Sequence, residues 1–149
     1  MTPEDMAALH ARAFAGQGRA WTAAEFSDLL ASPLVFAVGD TRGFALGRVI
    51  VDEAELLTIA TDPQVRRQGV ARACLATFHD TATKRGVRSA FLEVADDNTA
   101  AKGLYSAAGY SQTAVRKGYY PRPNKPAVDA LILRRDLVAM PLDCGKPEI

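Results

Sequence analysis

The chain has 149 residues, 48% of them hydrophobic and 23% charged, with a formal net charge of +1. That length suits one domain with a core of its own, and the composition suits a globular fold. Near-neutrality excludes a polyelectrolyte built for nucleic acid, no apolar run approaches the roughly 20 residues of a membrane span, and the N-terminus has no signal-peptide pattern.

Thr2-Pro3-Glu4-Asp5 reads as a helix start, with Thr2 as cap, proline in the first turn and acids following. This helix is expected to run to about Ala15 and stop at Gly16, followed by a flexible connection over 16–20. Thr22-Ala23-Ala24-Glu25 has the spacing of a capping box and opens a second helix over 23–31, closed by Ser32-Pro33. Strands are expected at 34–38 and 44–51 around the turn Gly39-Asp40-Thr41-Arg42-Gly43, then at 55–61. A long helix over 69–84 carries Ala71, Cys74, Leu75, Phe78 and Ala82 on one face, and ends in cations with Gly86 just beyond. A strand at 88–95, a short helix at 98–108 closed by Gly109, and a strand at 110–117 follow. Pro121, Pro123 and Pro126 suggest an irregular loop before a last strand at 128–135. From Val138 the periodicity is lost, so residues 1–137 are expected to form the domain and 138–149 a loosely attached tail. Hairpins followed by strand–helix–strand units predict an α/β (α+β) class with a mixed sheet and helices on both faces.

Cys74 and Cys144 are too few for a disulfide framework, so a reduced, cytoplasmic setting is expected. Cys74 sits in the apolar stripe and is expected to pack rather than react. His10 and His79 have no ligand cluster in the sequence, and no metal site is expected.

Chemistry concentrates in two stretches. The first is the apolar run ending in Ile59-Ala60-Thr61, followed by Asp62-Pro63 and then Arg66-Arg67-Gln68-Gly69-Val70-Ala71-Arg72. A strand that passes through a glycine-bearing turn into a helix start gathers unpartnered N–H groups at the positive end of a helix dipole, a place to hold phosphate. Small residues at 69 and 71 allow close approach to the backbone, and the arginines add cations. An ordinary strand–helix turn with a solvated basic patch would look much the same.

The second stretch is Glu93 in an otherwise apolar strand, and Tyr105 in the helix after it. By alternation Glu93 shares a face with Phe91 and Ala95, so it either lines a cleft or reaches solvent near the strand end. Tyr105 is either a core aromatic or a phenol facing that cleft. Gly103 costs about 1 kcal/mol against alanine within a helix, and a close approach by ligand or backbone would be one reason to keep it.

Together, Arg66-Arg67-Gln68-Gly69-Val70-Ala71 and the pattern L-E-V-x-x-x-N-x-x-A-x-x-L-Y-x-x-x-G-Y at 92–110 resemble the GNAT acetyl-CoA-dependent N-acetyltransferases, most of all the bacterial ribosomal-protein alanine N-acetyltransferases. Arg116-Lys117-Gly118-Tyr119-Tyr120-Pro121 is similar to their R-x-x-Y-Y-P. Ala71 stands for the second motif glycine, Asp96-Asp97 precede Asn98, and the sheet is expected to be one strand short of the family's, without its usual N-terminal strand. The resemblance implies a twisted sheet splayed between strands 55–61 and 88–95, with a β-bulge near 57–59 and acetyl-CoA in the opening. It implies Glu93 as general base and Tyr105 as general acid. Ile59, Ala60 and Thr61 would hold the acetyl and pantetheine arm through their backbone. Arg66, Arg67, Gln68, Gly69, Val70, Ala71 and Arg72 would cradle the pyrophosphate, and Asn98 would contact coenzyme A. Trp21, Tyr119 and Tyr120 would flank the acceptor, although the tyrosine pair could equally be a hydrophobic plug. The favoured acceptor is the N-terminal α-amine of a protein, with ribosomal protein leading. A lysine or small-molecule amine is the first alternative, and a non-catalytic acyl-CoA or partner-binding module the second. No membrane or direct nucleic-acid partner is expected, and a monomer or homodimer is.

Overall fold

A computed structural model describes residues 1–15 and 19–137; the expected tail 138–149 and most of the expected connection at 16–20 lie outside the described residues. Helix α1 (Pro3–Ala13) and helix α2 (Ala23–Leu30) both begin in capping boxes. Thr2 Oγ1 accepts the Asp5 N–H (3.1 Å) and the Asp5 carboxylate accepts the Thr2 N–H (3.0 Å). Thr22 and Glu25 repeat the exchange at 3.2 and 2.9 Å, and Arg19 grips the same glutamate at 2.7 and 2.8 Å. Each cap of this kind stabilises its helix by about 1 kcal/mol.

The remaining elements are β1 (Val35–Asp40), β2 (Gly43–Ile50), β3 (Glu53–Thr61), a 3-10 turn (Pro63–Val65), α3 (Val70–Lys84), β4 (Ser89–Ala95), α4 (Thr99–Ala107), β5 (Ser111–Arg122) and β6 (Lys125–Asp136). Six strands form one mixed sheet in the order β1-β2-β3-β4-β6-β5, with only β3 and β4 parallel. Helices α3 and α4 cover one face around Leu75, Phe78, Leu92 and Tyr105; α1 and α2 cover the other around Leu9, Phe26, Phe44 and Leu46. Among the described residues no helix is long and apolar enough to cross a membrane.

Cys74 is buried on α3 beside Leu75, Phe78, His79 and Ala82, and burial pushes its thiol pKa up, away from the reactive thiolate. Ala71, expected in the same stripe, is only half-buried because it lies at the helix mouth.

The expected proline loop is instead a hairpin. β5 and β6 run to a two-residue turn at Pro123-Asn124, where Arg122 faces Lys125 and Asn124 takes a φ of +59°. Proline at the first turn position and asparagine at the second supply the required dihedrals, and β5 is an edge strand on which Pro121 removes no interior ladder bond. Between Arg116 and Tyr120 the register slips, because three residues of β5 face only Asp129 of β6. Gly118 sits there with a φ of +59°, and its N–H donates to the Asp129 carboxylate at 2.9 Å. This irregularity re-aims the hairpin tip.

Candidate active site

The site begins with a parting of strands. β3 and β4 pair at only three positions, Glu53–Ser89, Ala54–Ala90 and Glu55–Phe91. Beyond these the strands diverge. A bulge on β3 marks the divergence: Gly47 faces Leu56 and Leu46 faces Thr58, which leaves Leu57 as the extra residue. Its effect shows in the packing. Leu56 and Ile59 face the α3 side, whereas Leu57 packs on the α1 side and Thr58 reaches His10 of α1. Two consecutive residues thus share one face, which bends the strand out of the sheet. The opening is a cleft of about 720 Å³ between residues 56–59 and 92–95, closed by α4 and by residues 120–123 of the hairpin tip.

Glu93 and Tyr105 both line this cleft. Glu93 alternates with buried Leu92 and Val94, so its carboxylate leaves the core and is about a quarter exposed. It pairs with Arg116 of β5 at 3.2 Å, and that guanidinium is itself more than half exposed. Tyr105 is buried in the α3–α4 core, edge-on to Tyr110 with ring centroids 5.8 Å apart. Burial pushes its pKa up to about 12, which keeps the phenol protonated at neutral pH. A proton acceptor and a proton donor therefore face one gap.

Asn98 is the N-cap of α4. Its Oδ1 accepts the Ala101 N–H at 3.2 Å, so the amide NH₂ remains to donate into the cleft that it lines. Gly103, by contrast, is exposed, and a Cβ there would meet nothing within 4 Å. No protein atom approaches it closely. Gly103→Ala should therefore stabilise the protein by about 0.5–1 kcal/mol, read as a higher denaturant midpoint with an unchanged slope.

The turn between β3 and α3 has the features of an anion seat. Gly69 is the N-cap of α3 at a φ of +78° with no side-chain cap, so the first N–H groups of the helix have no partner among the described residues. Arg67 also takes a positive φ, +65°. Alternation of this kind turns successive N–H groups towards one point. Arg66 serves the turn in another way, donating to the Ala13 carbonyl at 3.0 Å and tying the end of α1 to it. Arg12 bonds Asp62 (3.3 Å) across the same junction.

Of the other expected residues, Ile59 lines the cleft, Ala60 is buried towards α1 and α2, and Thr61 continues β3 towards the anion seat. Tyr120 lines the cleft; Tyr119 turns outward, half exposed beneath the Arg116 guanidinium. Trp21 is not brought to the cleft. It stacks on His10 (5.3 Å) and packs against Phe26, under α1 and α2.

Several lining residues carry no signal in the sequence. α1 ends at Ala13, two residues early, so its C-cap Phe14 turns its ring to the cleft and against His10 (4.4 Å). Arg122 holds Asp97 through two bonds of 2.8 Å and clamps the hairpin tip over the start of α4, keeping the Asp97 carboxyl below the usual range. Both placements depend on non-local packing and register, which no local pattern encodes.

The profile of the Acetyltransferase (GNAT) family matches residues 5–110. The [Ribosomal protein bS18]-alanine N-acetyltransferase of Escherichia coli K12 is 43% identical over 83 residues, which is 56% of each chain, so the match spans little more than half the length of that curated relative. Among solved structures, the ribosomal-protein-S18-alanine N-acetyltransferase from Escherichia coli matches 97% of this chain and 93% of its own, with a TM-score of 0.81 at 28% identity. Ard1 from Thermoplasma volcanium matches 91% and 93%, with a TM-score of 0.77 at 26% identity.

Proposed function

This chain belongs to the acetyltransferase (GNAT) family, and from that premise we propose that it moves the acetyl group of acetyl-CoA onto the N-terminal α-amine of a protein, an alanine-led ribosomal protein being the leading candidate. The observation that carries this reading is the splayed β3–β4 cleft, with Glu93 and Tyr105 lining it together. The activity for which the E. coli relative is named supports the acceptor.

The residues present suit acetyl-CoA. Gly69 has open space on the side where a Cβ would stand, the N–H groups that follow it lack partners among the described residues, and Asn98, whose amide NH₂ is left free by its cap, lines the cleft. Gln68, Gly69, Val70, Ala71 and Arg72 would hold the pyrophosphate with Arg67, while Arg66 braces the turn from behind. Ile59, Ala60 and Thr61 would lie along the pantetheine arm. When bound, acetyl-CoA supplies the acetyl group as an activated thioester. Glu93 Oε accepts the proton of the attacking amine, directly or through water. Tyr105 Oη donates to the sulfur as its bond to the acetyl carbon breaks. Burial weakens Tyr105 as an acid, yet it raises the proton affinity of a thiolate in the same cleft as well, so the two stay matched. Tyr120 and the Arg122–Asp97 clamp shape the acceptor's entry.

The test is incubation with acetyl-CoA and a panel of acceptors, read by intact mass. Alanine-led peptides bearing ribosomal N-termini should gain one acetyl, and Nα-blocked lysine peptides and small amines should react only slowly by comparison. Reaction of small amines alone, with every peptide inert, would replace the proposed acceptor.

A further inference from the structure

His10 is buried between α1 and the sheet, and both of its ring nitrogens are engaged. Nδ1 lies 3.3 Å from the backbone N–H of Trp21. A backbone N–H can only donate, so Nδ1 accepts, and the neutral ring carries its proton on Nε2. Nε2 lies 3.3 Å from Thr58 Oγ1, which must accept that proton. A threonine hydroxyl has one proton of its own to give. Among the described residues His10 is the hydrogen-bond partner of this hydroxyl, and Thr58 lines the cleft. The ring is packed between Phe14 (4.4 Å) and Trp21 (5.3 Å), which hold its orientation. The hydroxyl proton is thus turned away from His10, and the cleft is the open side.

The bulge decides which ligand it meets. It places Thr58 on the α1 side of the cleft, whereas Tyr105 belongs to the α3–α4 side. This step rests on the acetyl-transfer reading: a thioester with its sulfur beside Tyr105 leaves the α1 side to the acceptor. A peptide N-terminus carries a carbonyl oxygen next to its amine; a lysine side chain or an alkylamine has none in that place. We propose that Thr58 presents its hydroxyl proton as a fixed donor to the first peptide carbonyl of the acceptor, selecting α-amines of peptides, and that His10 is the positioning residue that aims it. Trp21, absent from the cleft, then acts at one remove through the N–H that sets the His10 tautomer.

Thr58→Val keeps the shape and removes the donor, and Thr58→Ser keeps the donor. With an alanine-led peptide, Thr58→Val should raise KM and weaken calorimetric binding of the peptide to the CoA-bound protein by roughly ten-fold, the effect of one lost hydrogen bond in a desolvated site. The slow reaction with an alkylamine lacking the carbonyl should be unchanged, as should affinity for acetyl-CoA, and Thr58→Ser should stay close to the wild type. The inference is overturned if Thr58→Val behaves as wild type, if the valine and serine variants are equally impaired, or if only kcat falls, which would assign the hydroxyl to the thioester carbonyl. Wild-type protein that acetylates no peptide overturns the acceptor reading and this inference together; peptide acetylation indifferent to Thr58→Val overturns this inference alone.

Discussion

Glu93→Gln protein should acetylate an alanine-led peptide about 10²–10⁴-fold more slowly than the wild type at neutral pH, while binding acetyl-CoA equally well. Glutamine has nearly the same shape and still offers an oxygen to Arg116, but it takes no proton from the amine. The fold should survive, because the Glu93–Arg116 pair is solvent-accessible on both sides, and pairs of this kind contribute about 0–1 kcal/mol. The deficit should also shrink as pH rises through the α-amine's own pKa of about 8, since an amine already free of its proton needs no base. Tyr105→Phe should act differently. It removes the donor to the departing sulfur, so its loss should persist at every pH at which the phenol is protonated. Steady-state rates from about pH 6 to pH 9, with acetyl-CoA affinity measured separately, distinguish these outcomes. Unchanged turnover in Glu93→Gln would remove it from the proposed role.

Local signals make much of this architecture legible. The capping boxes at Thr2 and Thr22, the turn into α3 at Gly69, and the strand–helix pair from Ser89 to Ala107 each follow from a few adjacent residues. The bulge, implied near 57–59 by the family resemblance, is found at Leu57. The structure departs from expectation where distant strands meet. Three prolines argue for a loop when read along the chain. The chain forms a hairpin there because Pro121 lies on the edge strand β5, Pro123 sits in the turn, and Pro126 lies on β6 beyond the stretch at 130–136 that pairs with β4. Arg116 meets Glu93 only because Arg116 pairs with Ala130 while Glu93 pairs with Ile132 on the opposite side of the same strand. The family resemblance implies Trp21 at the acceptor. The stacking preference of an indole, and the apolar gap between α1 and α2, draw it beneath the helices instead.

Acidification from about pH 7.5 to pH 4.5 should cost this fold about 5 kcal/mol, and two buried histidines account for it. His10 and His79 are 4% and 8% exposed, and each has its pKa lowered from 6.5 to about 4, chiefly by burial; Arg135 adds to the shift at His79. Glu25 near His10 and Asp80 near His79 oppose the shifts without cancelling them. The geometry explains why the charged form is excluded. Arg135 can only donate, so its 2.9 Å bond requires a bare His79 Nδ1, and Nε2–H then donates to Tyr110 Oη at 2.7 Å. Protonation would set an imidazolium N–H against a guanidinium. At His10 it would set the new N–H against the Trp21 N–H. Because the folded pKa values are depressed, the unfolded chain binds more protons once pH falls below about 6.5, and stability is full above that value and lost towards about pH 4. The carboxylates held low by their partners, such as Asp97 and Asp129, lose their contributions only below the ordinary carboxylate range, so the interval above it belongs to the histidines. Each contributes roughly 2–3 kcal/mol over the interval, against a total stability of about 5–15 kcal/mol for a domain, so the protein should come close to unfolding at its acid end. Denaturant titrations at several pH values measure the slope directly. Replacing either ring with glutamine should halve the slope whatever it does to absolute stability, and a profile that stays flat down to about pH 4.5 would contradict the assignment of both rings as buried and neutral.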